Sequence, residues 1–270
     1  MLDTLLDAVI DVLKLLPFLF LSFVIMELIE HKLNNKKKLT EANKYGPFIG
    51  SILGIIPQCG FSALASNLYA ARVITLGTLI SIYLSTSDEM LPIMLSHKTD
   101  ITIVLKILFI KFLLGLLFGF IIDLIYRKKE SSEIEHICEE DHCHCEEGII
   151  KSSIIHTLKI AFFILIINII LNTIIDENMV RHFAVNNKVL APLITSIIGL
   201  IPNCASSVII TELYLDNIIT LGSCLAGLLS ASGVGILVLF KQNKNIKENL
   251  LILVLLIIIA SICGIIFNYI

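Results

Sequence analysis

Charge is scarce in this chain of 270 residues: Asp, Glu, Lys and Arg make up 16% of it, against about 25% in soluble domains. With 56% hydrophobic residues and a mean hydropathy of +0.92, that shortage excludes an ordinary water-soluble domain. Tryptophan is absent, aromatics are only 7% and the net charge is −3. No basic groove with interleaved aromatic residues exists, so nucleic acid is excluded as a partner. The seven cysteines are an odd number without framework spacing, which argues against a disulfide scaffold. No small-residue cleavage site follows the first apolar run, and that run opens on Asp3, Asp7 and Asp11 rather than on Lys or Arg. It is expected to stay as a helix and not to be removed as a signal peptide. Nothing resembles a nucleotide-binding motif.

What the chain does have is apolar length. Runs near 8–30, 102–126, 154–175, 218–240 and 250–270 each reach the roughly 20 residues that a spanning helix needs.

It also repeats itself. Residues 47–87 align with 192–232 at a constant offset of 145 without a gap, and 18 of the 41 positions are identical. Pro57/Pro202, Cys59/Cys204, Ser62/Ser207, Tyr69/Tyr214, Gly77/Gly222 and Ser85/Ser230 all pair. Leu matching Ile is cheap in an apolar chain, but Pro, Cys and Gly in one register mark a duplicated membrane unit. Each half reads as a long helix, two short apolar segments and two more helices. The short segments are 46–56 and 60–71, then 190–201 and 205–215. A leg of about 12 residues rises only about 18 Å as a helix, too little for a core of about 30 Å. Each pair is therefore expected to form a re-entrant or broken hairpin with its tip at Pro57-Gln58-Cys59-Gly60 or Pro202-Asn203-Cys204-Ala205. Proline ends or kinks a helix, and unwound backbone at that depth must be buried or line a wet cavity. A single kinked helix over 47–71 is the alternative.

The loop 31–44, the run Arg127-Lys128-Lys129 and Lys241, Lys244 and Lys247 are basic and belong in the cytoplasm by the positive-inside rule. The homologous loop 176–189 opens on Asp176-Glu177, and 96–100 is nearly neutral where 241–245 is basic. Swapped charge between homologous loops predicts an inverted repeat. The expected fold is an all-α membrane protein of two inverted repeats, residues 1–130 and 151–270. Each holds three spanning helices and one hairpin, ten segments in total, and a cytoplasmic linker 131–150 joins them.

The tips are the first candidates for chemistry. They offer amides (Gln58, Asn203), thiols (Cys59, Cys204) and hydroxyls (Ser62, Ser207) beside helix N-termini. Thiols select soft ions, whereas amide and carboxylate oxygens suit harder ones such as Mn²⁺. Asp88 and Glu89 are mated to Gly233 and Val234, and Glu212 to Asn67; intramembrane carboxylates are costly and purposeful. On an unbroken helix the acidic pair would lie about 24 Å from its inner end. Cys224, mated to Leu79, is a candidate third thiolate beside Cys59 and Cys204. Lys106 and Lys111 are candidates to pair with a carboxylate across the bundle, but their mates are only Leu251 and Leu256 and neither is counted as a site residue. In the linker, His136, Cys138, His142, Cys143, His144 and Cys145 fall within ten residues among carboxylates. Their spacing fits no zinc-finger pattern, so a flexible trap for soft or borderline metal ions is expected.

GIIPQCGFS followed by TLGTLISIYLSTSDE, with a second GLIPNCASS and ITLGSCLAGLLSASGVG, resembles the ten-transmembrane heavy-metal exporter family. Its bacterial members are labelled arsenic efflux proteins or manganese transporters. The resemblance implies efflux across a bacterial inner membrane. The expected function is therefore export of an arsenite-like soft ion or Mn²⁺ by alternating access, driven by an ion or proton gradient, with no enzyme activity. No cofactor is required. The partners are the bilayer, the transported ion, a coupling ion such as H⁺ and, as an option, a second copy in a homodimer. A transmembrane thiol–disulfide electron relay through Cys59 and Cys204 is the alternative.

Overall fold

A computed structural model describes residues 45–56, 59–87, 89–126, 149–174 and 188–269, with part of 10–24. Among the described residues all regular structure is helical. Helix α1 covers the described positions between 10 and 24. It is followed by α2 (Gly46–Ile55), α3 (Cys59–Ala70), α4 (Leu76–Ser85), α5 (Met90–Ser96) and α6 (Ile101–Tyr126). The second half holds α7 (Ile149–Ile174), α8 (Leu190–Gly199), α9 (Cys204–Leu215), α10 (Leu221–Ser230), α11 (Gly235–Gln242) and α12 (Ile246–Tyr269).

The duplication fixes local structure as well as sequence. Helices α9 to α12 each begin 145 residues after α3 to α6. Thr75 and Thr220 cap α4 and α10, accepting from Thr78 N at 3.2 Å and Ser223 N at 3.3 Å, which satisfies one of the orphan donors of the first turn. Mated residues also end α3 and α9. Arg72 (φ 59°) and Asn217 (φ 57°) both adopt the left-handed conformation, and their amides return to Tyr69 O and Tyr214 O, as at many helix C-termini.

Among the described residues three stretches are long and apolar enough to cross a membrane: Ile101–Tyr126, Leu221–Gln242 and Ile246–Tyr269. The middle one corrects the expectation of an unbroken helix over 218–240. It parts at 231–234, where Gly233 takes φ 54° and the Ala231 ψ of 87° leaves the helix. The first half breaks at the same place. Thr86 turns extended at ψ 129°, so Glu89 stands in a gap between two half-helices and not along a continuous one. Small residues permit this, because Ser, Thr and Gly offer the backbone local alternatives to the helix.

Contact registers settle the shape of the short segments. A Cβ on Gly46, Gly50 or Gly54 would strike Thr78, Ser81 and Ser85 in turn, so α2 runs beside α4 in the same direction. Helix α3 returns through the turn 71–75 and meets α4 again where Ser66 Oγ lies 2.7 Å from Tyr83 OH. In the second half Thr195 Oγ1 donates to Ser223 O at 2.7 Å, Gly199 abuts Gly227 and Ser230, and Ile210 packs on Gly227. Each pair of legs is thus antiparallel, a hairpin and not a kinked helix.

The halves then exchange legs. Helix α3 packs on α11 and α9 on α5, while α2, α4 and α6 form one group and α8, α10 and α12 its counterpart. The α10–α11 stretch lies at the centre, with 94% of its apolar window buried, against 22% for α6 and 39% for α12. Helix α6 shows why it is peripheral. Leu105, Phe109, Leu113, Leu117 and Leu124 are exposed, while Val104, Ile107, Lys111, Gly115, Gly119 and Ile122 are buried. An apolar stripe outward and small or polar residues inward at helical spacing is the pattern of a lipid-facing helix.

At one end of the bundle Thr75 Oγ1 donates to Asp123 Oδ2 at 2.8 Å, and Arg72 pairs with Glu248 at 2.8 Å. The C-terminal end of α6 therefore sits beside the N-terminal end of its mate α12. Lys241, Lys244 and Lys247 belong to this end. The opposite end holds Thr220, Asn268 and Lys188, joined by Thr220 Oγ1 to Asn268 Oδ1 at 2.6 Å and Asn268 Nδ2 to Lys188 O at 3.0 Å.

Candidate functional site

Four interruptions of helix meet near the middle of the bundle. Gly54, at the end of α2, abuts Ser85 at the end of α4, and Gly199 abuts Ser230. The first leg of each hairpin thus ends against the break that follows α4 or α10. The first turns of α3 reach across to the other half. Ser62 packs on Gly235 at the start of α11, and Ser66 Oγ bonds Gly235 O at 2.7 Å. Around these breaks lies a buried polar layer that includes Ser62, Ser66, Ser85, Thr86, Ser87, Ser206, Ser230 and Ser232. Most polar groups at this depth are satisfied by one another or by helix backbone, with the Ser232 hydroxyl an exception. Thr86 Oγ1 donates to Ile82 O at 2.7 Å, Ser85 Oγ to Ser81 O at 2.7 Å and Ser87 Oγ to Ser85 O at 3.1 Å.

At the second tip, Asn203 is buried and extended (φ −143°, ψ 145°), and its Oδ1 accepts from Ala205 N at 3.3 Å. The amide proposed as an ion ligand is therefore also the N-cap of α9. Cys204, the first residue of α9, is half-buried and forms no disulfide among the described residues. It packs in one apolar cluster with Ala63 of α3, Phe23 of α1, Ile164 of α7 and Val234 at the second break. Ser207 Oγ donates to Cys204 O at 2.9 Å. The N-terminal turns of both return legs thus share one cluster.

Not every candidate joins them. Tyr214 lies within electrostatic reach of Cys224, ten residues along α9 from Cys204, which is about 15 Å of helix. Cys224 is fully buried in a different cluster, with Ile209, Ile210, Leu213 and Leu228. Cys224 and Cys204 thus belong to separate clusters, with α9 running antiparallel to α10. Glu212, half-buried, lies near the Cys224 level and not at the tip. Glu89 is half-buried inside the first break. Gln58, Asp88, the side chain of Cys59 and the linker ligands His136, Cys138, His142, Cys143, His144 and Cys145 lie outside the described residues. Among the described residues no three His, Cys, Asp or Glu side chains form a metal cluster.

One residue that sequence reasoning set aside is central here. Lys111, 1% exposed in the middle of α6, donates from Nζ to Thr86 O at the first break and to Leu228 O at 2.8 Å near the end of α10. Its charge near the middle of a 26-residue apolar helix, with Lys106 and Asp123 nearer the ends, was the available signal. The missing basic mate concealed it.

The sequence model of one protein family, described as "Putative, 10TM heavy-metal exporter", matches residues 1–185. That range takes in the first copy of the repeat, the linker and α7. No curated protein and no solved structure matches the chain. Neither the match nor the site supports the electron-relay alternative.

Proposed function

The chain belongs to the ten-transmembrane heavy-metal exporter family, and from that premise we propose that it exports a heavy-metal or metalloid ion by alternating access between two inverted repeats. The observation that carries the reading is the convergence of two hairpin tips and two mid-helix breaks in one buried polar layer. Transporters of this architecture bind substrate where discontinuous helices meet at the repeat interface.

Inversion is supported by the shared end of α6 and α12: mates whose opposite termini lie side by side run in opposite directions. In sequence the basic stretches 31–44 and 127–129 adjoin the start of α2 and the end of α6, and the positive-inside rule assigns such stretches to the cytoplasm of a bacterial cell. The hairpins then re-enter from opposite faces. The His/Cys linker 131–150 serves as a cytoplasmic metal trap that delivers ions to Cys59 and Cys204. Gln58, Ser62, Asn203 and Ser207 complete the tips, and Asp88, Glu89 and Glu212 supply hard oxygens for Mn²⁺ or for a coupling proton. An ion or proton gradient drives the cycle.

The test is the metal content of cells with and without the protein under arsenite, manganese, zinc and cadmium challenge. Expression lowers the cell-associated level of at least one of these ions. If no ion changes in level or tolerance, the exporter reading fails.

The Arg72–Glu248 pair ties α3 of the first repeat to α12 of the second at the basic end. Their mates, Asn217 and Ile103, cannot form an ion pair at the other end. With side chains 20% and 31% exposed, the pair contributes about 1 kcal/mol or less. Its larger effect is on which end stands closed. Arg72→Ala is expected to leave the melting temperature nearly unchanged. In inside-out vesicles it should speed labelling of Cys204 by a membrane-impermeant thiol reagent. Unchanged labelling would separate this pair from gating.

A further inference from the structure

We propose that the C-terminal ends of the two central half-helices, α4 and α10, form one monovalent-cation site of backbone carbonyls, and that the ammonium of Lys111 is its tethered occupant. The carbonyls come from both repeats. Thr86 O lies just past the end of α4, and Leu228 O is among the last four carbonyls of α10. In an unbroken helix these oxygens would accept from residues four positions on, but the breaks at 86–89 and 231–234 remove those donors. They also carry the negative end of each half-helix dipole. Two such ends aimed at one point in a membrane interior attract a cation, and Lys111 Nζ bonds both.

The duplication shows that this is a built feature and not an accident of packing. The repeat mate of Lys111 is Leu256, fully buried among Tyr83, Ile252 and Ala260. The mates of Thr86 and Leu228 are Ala231 and Tyr83. At the symmetric position the chain therefore packs hydrocarbon, and at this one it packs a charge. Among the groups near the ammonium is Cys224 on α10, whose mate is Leu79. Both specialised residues thus stand on the same side of the pseudo-symmetry. Because Thr86 belongs to one repeat and Leu228 to the other, the ammonium is a polar link between halves that must move apart in transport. That consequence rests on the exporter reading; the existence of the site does not.

The experiment is the thermal unfolding of the purified full-length protein in detergent, in choline chloride against ethylammonium chloride at equal ionic strength. Choline is too bulky for the space left by a lysine side chain, whereas ethylammonium is close to its far half. Lys111→Ala is expected to lose roughly 5 °C or more in choline and to regain at least half of that loss in ethylammonium, while the unchanged protein melts alike in both. Lys111→Met, which fills the space without charge, is expected to be destabilised and not rescued. A Lys111→Met protein that melts like the unchanged one, or a Lys111→Ala protein that no monovalent cation stabilises, would overturn the proposal. Should Lys111→Ala not be recovered folded, Lys111→Arg is compared with Lys111→Gln. The cation site requires the arginine variant to melt higher, and the reverse order sinks it. No transported ion enters this measurement, so its result is independent of the metal-content test.

Discussion

Serine in place of Cys204 is expected to abolish efflux of a thiophilic ion while leaving the protein folded. Cys204 opens α9, is half-buried, and faces the cluster shared by both return legs. Serine is smaller by little and tolerates a helix N-terminus well, so the hairpin keeps its shape. What disappears is the only soft donor atom at the second tip, and a hydroxyl does not replace a thiolate for a soft ion. A loss of affinity of at least about tenfold, or roughly 1.4 kcal/mol, follows for an arsenite-like substrate. Cell-associated arsenic in a strain carrying only the Cys204→Ser protein should then match that of a strain without it. For Mn²⁺ the order reverses, because oxygen donors suffice: Asp88→Asn should reduce efflux more than Cys204→Ser does. Measuring both ions with both variants therefore identifies the substrate class. If both variants export every ion normally, the tips are not the site.

The second large effect concerns folding. Gly77 lies where α4 crosses α6, and an added Cβ would collide with Gly119 O and the Asp123 carboxylate. That carboxylate is buried and already accepts from Thr75 Oγ1 at 2.8 Å and from Gly77 N at 2.9 Å. Gly77→Ala must push the two helices apart and weaken hydrogen bonds to a buried charge. Overpacking and the lost bonds together amount to roughly 3 kcal/mol or more. For a chain of this size that is a fall of roughly 6–12 °C in melting temperature. Its mate Gly222 meets Gly264 O and Asn268 Oδ1, a neutral partner at the bundle end. Gly222→Ala should therefore be the milder of the two, as read from detergent melting curves of both variants. Equal losses would show that backbone contact alone sets the cost and that the Asp123 charge adds nothing.

Much of the architecture was legible in the residues. Pro, Cys and Gly repeating at one offset disclosed the duplication, and helix starts 145 residues apart follow it. The short legs were readable from length, since about a dozen apolar residues ended by proline cannot span. The breaks after α4 and α10 were not readable. Ser-Thr-Ser and Ser-Ala-Ser-Gly are small enough to leave the hydropathy of 76–96 and 218–240 high, and hydropathy measures side-chain transfer, not backbone dihedrals. Cys224, mated to Leu79 on the helix after the second hairpin, is a candidate third thiolate in the sequence; the reversal of direction at 216–220 places it in a different apolar cluster from Cys204.

Taken alone, the order of residues determined a membrane class, a duplicated unit, the positions of its hairpins and a match to one family. These depend on composition, periodicity and rare residue types, which survive without knowing what touches what. Only the tertiary structure decided that the return legs cross between halves, that two central helices are broken, and that Lys111 joins those breaks. Its partners include two main-chain carbonyls, one of them 117 residues away. Every residue carries such a carbonyl, so no pattern of side chains announces which ones a fold will leave unpaired and aim at a charge.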